Sequence, residues 1–171
     1  MIVFGVLGSV TSFLLFQKSM VVRALDHTAE GLGGELLKQL ETLKQNNGGN
    51  IPANTDIAPY LSQSLPKANE ILLANYADSR YFTDPVPSIS EENVATGVWD
   101  VANSPACQPN CFAVSSDASQ VNSLKVKLSA TISAKNMFGS TFFRGITFDI
   151  HRYVIVYFDI NIGGATVVER N

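Results

Sequence analysis

The first seventeen residues, Met1 to Gln17 (MIVFGVLGSVTSFLLFQ), carry no ionisable side chain, and Lys18 is the first charge in the chain. At about 1.5 Å per residue, a helix of that length spans roughly 25 Å, near the lower limit for crossing a bilayer's hydrocarbon core. Core helices of water-soluble domains rarely run so far without a polar face. The pattern therefore predicts a membrane or filament-core segment over residues 1–20. A cleaved secretory signal would show a basic start and a small-residue cleavage site, and neither is visible. Because the apolar run passes into a helical pattern without a break, it reads as a retained anchor.

Beyond it the pattern turns amphipathic. Val22, Leu25, Ala29, Leu32, Leu36, Leu40 and Leu43 recur at three- and four-residue steps, while Arg23, Asp26, Glu30, Lys38, Glu41 and Lys44 occupy other faces. Residues 21–46 are thus expected to continue the same helix, with one stripe on a domain and the rest wet, over roughly 65 Å in all. Gly31, Gly33 and Gly34 predict a kink or local melting, since each costs about 1 kcal/mol relative to alanine. Asn46-Asn47-Gly48-Gly49-Asn50 supplies the stop.

Residues 47–171 read as an exported α+β domain. Asn54-Thr55-Asp56 offers N-caps for a helix with Pro59 in its first turn; Pro66 then breaks the pattern, and Lys67 to Asp78 forms another short helix. Residues 79–93 look like a connecting loop. From Ala95 onward the period becomes two. Val98 and Val101 fall in one short run and Cys111 to Ser115 in another. Leu124, Val126, Leu128, Ala130 and Ile132 alternate with Lys125, Lys127, Ser129 and Thr131. Ile146, Phe148 and Ile150 alternate with Thr147, Asp149 and His151, and Tyr153 to Ile162 has a central strand's composition. Helices first and strands later predict an α+β fold: a long N-terminal helix packed on an antiparallel sheet.

Composition narrows the function classes. Charged residues make up 16% of the chain and the net charge is −3, with no basic run, which excludes a nucleic-acid backbone as the expected partner. The two cysteines, Cys107 and Cys111, flank Gln108-Pro109-Asn110, a turn-forming stretch suited to a hairpin tip. A structural disulfide is expected there in an oxidising compartment. Unpaired thiols and a metal or redox site remain the alternatives, although a redox motif is usually one residue shorter and a metal needs further ligands.

No catalytic, cofactor-binding or metal-binding residue is assigned. Asp149 and His151 share one strand face and resemble an oriented base, but they fall on the polar side and no G-x-S-x-G supplies a nucleophile. His27, beside Asp26, reads as solvent-facing. Gly31-Leu32-Gly33-Gly34 lies in a helix and Gly163-Gly164 opens none, so neither fits a phosphate cradle. One constellation in the apolar run does suggest a role: Gly5, Gly8, Ser9 and Ser12 form a small-residue face that lets another helix approach closely.

An apolar helix passing into an amphipathic half, followed by an antiparallel sheet, resembles type IV pilin-like proteins. The chain is most similar in plan to TadE/TadF/TadG-like minor pilins of tight-adherence pili. The resemblance is carried by Val21-Val22-Arg23-Ala24-Leu25-Asp26-His27-Thr28-Ala29 after the anchor. It also rests on Leu124-Lys125-Val126-Lys127-Leu128, Phe138-Gly139, Gly145-Ile146 and Tyr153-Val154-Ile155-Val156 towards the end. It implies a structural pilin subunit that waits in the cytoplasmic membrane and then joins an extracellular filament. Its partners would be lipid and other copies or related subunits, in a homo- or hetero-oligomer. Two points shape that expectation. Lys18 and Arg23 after the anchor would hold the domain inside by the positive-inside rule, unless Met1 begins a chain processed from a basic leader. Pilins usually carry Glu at the fifth mature position, where this chain has Gly5, which fits a minor or initiating subunit, or a relative outside the family, better than a major pilin. The rival readings are an anchored periplasmic scaffold or binding protein and an anchored enzyme.

Overall fold

The computed structural model describes residues 2–77, 87–100, 111–133, 147–161 and 163–170. Side chains are described from Thr11 onward, except those of Leu14, Gln17, Tyr76, Ala77, Ile132, Ser133, Thr147 and Phe148. Helix α1 spans Ile2–Asn46 and α2 spans Ala58–Ala77. A 3-10 turn at Glu91–Asn93 leads into β1 (Val94–Trp99), then β2 (Phe112–Val114), β3 (Ser123–Ser133), β4 (Thr147–Phe158) and β5 (Ala165–Arg170). The strands form one antiparallel sheet in the order β2-β1-β3-β4-β5. The α+β class is as the change of period predicts.

The inner half of α1 lies across β3, β4 and β5, and α2 packs along α1. Val21, Leu25, Ala29, Leu32, Leu36 and Leu40 are buried in the same core as Leu124, Val126, Leu128, Val154, Val156 and Phe158. Register explains the sheet's contribution: Leu124 stands opposite Val156 and Val126 opposite Val154, so alternate residues of both strands face the helices. Ile57, Leu61, Ala68 and Leu72 of the α2 region close the core from the side.

The stop signals act as expected. The Gly49 amide donates to Lys44 O at 2.8 Å and the Gly48 amide to Gln45 O at 3.3 Å, the paired bonds of a left-handed helix cap, with φ of +71° at Gly48. Asp56 accepts a hydrogen bond from the Ala58 amide at 3.1 Å, opening α2.

Two expectations about breaks are corrected. Helix α1 stays helical through Gly31, Gly33 and Gly34, so of the kink or local melting expected there, the melting is not found. The first two glycines serve close approach instead. A Cβ on Gly31 would collide with Ile71 Cδ1 of α2, and one on Gly33 would lie 3.0 Å from Val156 Cγ1 and 3.2 Å from Ala165 Cβ. Packing on both sides thus outweighs the propensity cost. Gly34 meets nothing within 4 Å. Gly34→Ala is therefore expected to raise stability by up to about 1 kcal/mol, the propensity difference, whereas Gly33→Ala should lower it because β-branched Val156 cannot yield. Urea denaturation of the two variants beside the parent checks both signs.

Pro66 likewise does not end α2, which continues to Ala77. Proline removes the bond to the Ser62 carbonyl, but Ser62 and Pro66 both lie on the exposed side, where water can replace it. Leu61, Ser64, Ala68 and Leu72, all buried, hold the residues on both sides of Pro66 against the core.

The last strands also differ from the sequence reading. The alternating run through Phe148 and Ile150 and the run from Tyr153 form one strand, β4, which spans Thr147–Phe158 and ends before Ile162. Asp159 accepts a hydrogen bond from the Asn161 amide at 2.7 Å, and Gly163 and Gly164 have φ of +75° and +116°. That turn chemistry reverses the chain into β5, a strand the sequence reading does not anticipate.

Candidate functional site: the exposed helix and the outer sheet face

Between Thr11 and Met20 none of the described side chains of α1 is buried. Leu15 is 62% exposed and Phe16 56%, and Thr11, Ser12, Lys18 and Ser19 are exposed with them. Two large apolar side chains thus stand in solvent one to two turns from a stripe that is wholly buried. Of the expected packing face, Ser12 is exposed. Gly5, Gly8 and Ser9 lie in the helix, but what surrounds them falls outside the described residues. Among the described residues no helix is long and apolar enough to cross a membrane; most side chains of the uncharged run, those before Thr11 with Leu14 and Gln17, are not among those described.

At the root of this segment, Asp26 departs from its expected wet position. Its side chain is mostly buried and accepts from Arg170 Nε at 2.9 Å, joining the end of β5 to α1. The second carboxylate oxygen of Asp26 is buried without a hydrogen-bond partner. Sequence periodicity could not reveal this, because the partner is on an unanticipated strand at the other end of the chain. At the opposite end of α1, Lys44 donates to Asn161 at 3.0 Å. The helix is therefore fastened to the β4–β5 hairpin at two levels.

The far face of the sheet holds a second cluster. Trp99, Cys111 and Ile155 are buried there, with Phe112, Tyr153, Tyr157 and Val168 packed against them. Asn122 fixes this corner: its Oδ1 accepts from the Trp99 amide at 2.6 Å and its Nδ2 donates to the Trp99 carbonyl at 3.2 Å. Lys125 Nζ sits 4.0 Å from the Tyr153 ring centroid, and Tyr153 donates to Glu169 at 2.7 Å. Desolvation raises the Tyr157 pKa above its ordinary value, with the Asp159 carboxylate adding to the effect. Cys111 is disulfide-bonded, and β1 and β2 pair beside it as a hairpin. Cys107, the chain's other cysteine, lies outside the described residues.

Asp149 and His151 do share the outer face of β4, opposite Thr131 and Ser129 of β3. His151 Nδ1 is 2.8 Å from Ser129 Oγ, while Asp149 accepts from Thr131 Oγ1 at 2.7 Å. A base for acyl transfer needs its carboxylate on the imidazole. Here the carboxylate is bonded across the sheet instead, and both residues are exposed. The arrangement is that of two cross-strand polar pairs. His27 is exposed as expected and lies 3.9 Å from Glu30. On the loop before β3, hydrogen bonds from the Ser119 hydroxyl and amide lower the Asp117 pKa. Among the described residues no group of three or more His, Cys, Asp or Glu could hold a metal ion.

Comparison with protein-family models, with curated proteins and with solved structures gives no match for this chain.

Proposed function

We propose that this protein is a structural subunit, a pilin or minor pilin, of a type IV pilus-like surface filament, anchored in the membrane through residues 1–20 before assembly. One observation carries the reading. A single helix is buried in a sheet domain along one half and continues past it with Leu15 and Phe16 bare. Fully burying such a side chain stabilises by about 1.5–3 kcal/mol, so an apolar segment left in water is a strong drive to association. Lipid covers it first and sister helices afterwards, and the side chains stay dry in both states. The mechanism is packing, without bond chemistry. The disulfide at Cys111 suits an exported domain, since such bonds persist in oxidising compartments.

An anchored scaffold that never polymerises would need the apolar run but no small-residue face. Leucines at Gly8 and Ser9 separate the two. In the double variant Gly8→Leu, Ser9→Leu, membrane association should be retained while cross-linked multimers or filaments fall at least about tenfold, because bulk at these positions holds neighbouring helices apart. Multimers at the parental level would favour the scaffold.

A further inference from the structure

The cations at the root of the exposed helix have a chemistry that the anchor alone does not use. Lys18 and Arg23 are exposed, Arg152 is half-exposed on β4, and among the described residues none of the three has an ion-pair or hydrogen-bond partner. Their placement is set by the fold. Arg152 pairs in register with Leu128, two residues from Val154, which in turn stands opposite Arg170. Arg170 is held by Asp26 on α1. Val156 lies against Gly33 and Val154 near Asp26, so β4 descends towards the start of α1. Arg152 therefore lies on the helix-facing side of the sheet, about 7 Å beyond Val154 in that direction and near the level of Arg23.

Helical rise gives the depths. With Lys18 at the edge of the hydrocarbon, Arg23 stands about 7.5 Å higher and Asp26 about 12 Å higher. The polar layer of one leaflet is roughly 5–8 Å thick, and a charge beyond it is felt over a Debye length of about 8 Å. Lys18 and Arg23 thus fall within the headgroups, and Arg152 within their field. The carboxylate nearest in sequence, Asp26, is already engaged by Arg170, and Asp149 on the outer face is bonded to Thr131. Glu30, one turn further up α1, sits opposite His27.

We infer that Lys18, Arg23 and Arg152 dock the domain on the anionic phospholipid headgroups of the bilayer that holds the helix, fixing the domain's height and tilt before assembly. This rests on the anchor reading above. Arg170 acts as a positioning residue, since its bond to Asp26 ties the end of β5 to the helix.

The test uses the full chain with its disulfide intact, reconstituted into vesicles of phosphatidylcholine alone or mixed with phosphatidylglycerol. Flotation reads insertion. Native mass spectrometry from detergent, with the two lipids at equal concentration, reads retained headgroups. The expected result is flotation with both vesicle types, and preferential retention of phosphatidylglycerol that weakens in high salt. That preference should drop on the order of fivefold for each of Lys18→Gln, Arg23→Gln and Arg152→Gln. Thermal unfolding should be unchanged, marking the loss as one of contact. Flotation with equal retention of both lipids, or a preference that survives the triple substitution, would overturn the headgroup contact and leave the anchor standing. Failure to float with either vesicle would overturn both. Retention of a second copy of the chain in place of lipid would assign the cations to a subunit contact instead, also overturning the inference.

Discussion

Truncating Leu36 to alanine is expected to destabilise the domain by about 3 kcal/mol, within the range of buried leucine deletions, whereas truncating Leu15 should leave domain stability nearly unchanged. The two leucines lie on one continuous helix and differ in surroundings. Leu36 is fully buried in the main core, at the level where α1 crosses the sheet. Leu15 is mostly exposed. Chemical denaturation of both variants in the same detergent reads the difference directly. Equal losses would mean that the first half of the helix folds against the domain, contrary to the division argued above. A loss at Leu36 below about 1 kcal/mol would show instead that the sheet does not depend on the helix for its core.

The second large effect concerns the uncharged run. Leu7→Asp places a carboxylate near the middle of the seventeen residues that lack any charge. Such a residue at the centre of a spanning helix costs about 2.5–3.5 kcal/mol on insertion scales. Membrane retention should accordingly fall by roughly a hundredfold, since about 1.4 kcal/mol corresponds to a factor of ten. The domain's own unfolding midpoint should not move, because its core begins, among the described residues, at Val21. Retention at the parental level would remove the membrane segment from the account; a lost midpoint would place Leu7 in a core of the domain itself.

Much of this architecture was legible in the order of residues, for reasons that can be assigned. The amphipathic stripe from Leu25 to Leu40 and the alternation from Leu124 to Ala130 are each strictly periodic. The residues the period selects in these two stretches are all buried, and on the helix Thr28, Gly33 and Leu37 are buried beside them. The helix stop at Gly48 and Gly49 was legible because a left-handed cap has few other sequence solutions. What the sequence misjudged was set by contacts distant in the chain. Gly31 and Gly33 read as weakness in an isolated helix, but they become points of close approach once α2 and β4 lie against them. Pro66 reads as a break until the exposure of Ser62 shows that the lost bond faces water. Strand β5 was hidden because Ala165 to Arg170 is short and ends in two charges, and one of those charges is neutralised only by Asp26, 144 residues earlier.

The candidate site divides in the same way. The apolar run and its small residues are a composition signal, visible without a fold. The cations at its root become a group only when β4 and β5 bring Arg152 and Arg170 beside α1. The pairing of His151 with Ser129 shows the reverse case. Proximity in sequence suggested Asp149 as its partner, and the register of β3 against β4 gave each residue a hydroxyl instead.

The most direct measurement is extraction of the full chain from membranes of an expressing bacterium with alkaline carbonate, followed by sizing of whatever is released. If the start of α1 is held in lipid, the protein stays in the pellet and leaves it only with detergent. Release into the carbonate supernatant as a monodisperse monomer, stable without detergent, would contradict the claim that this helix avoids water first in a bilayer and then among its sister chains.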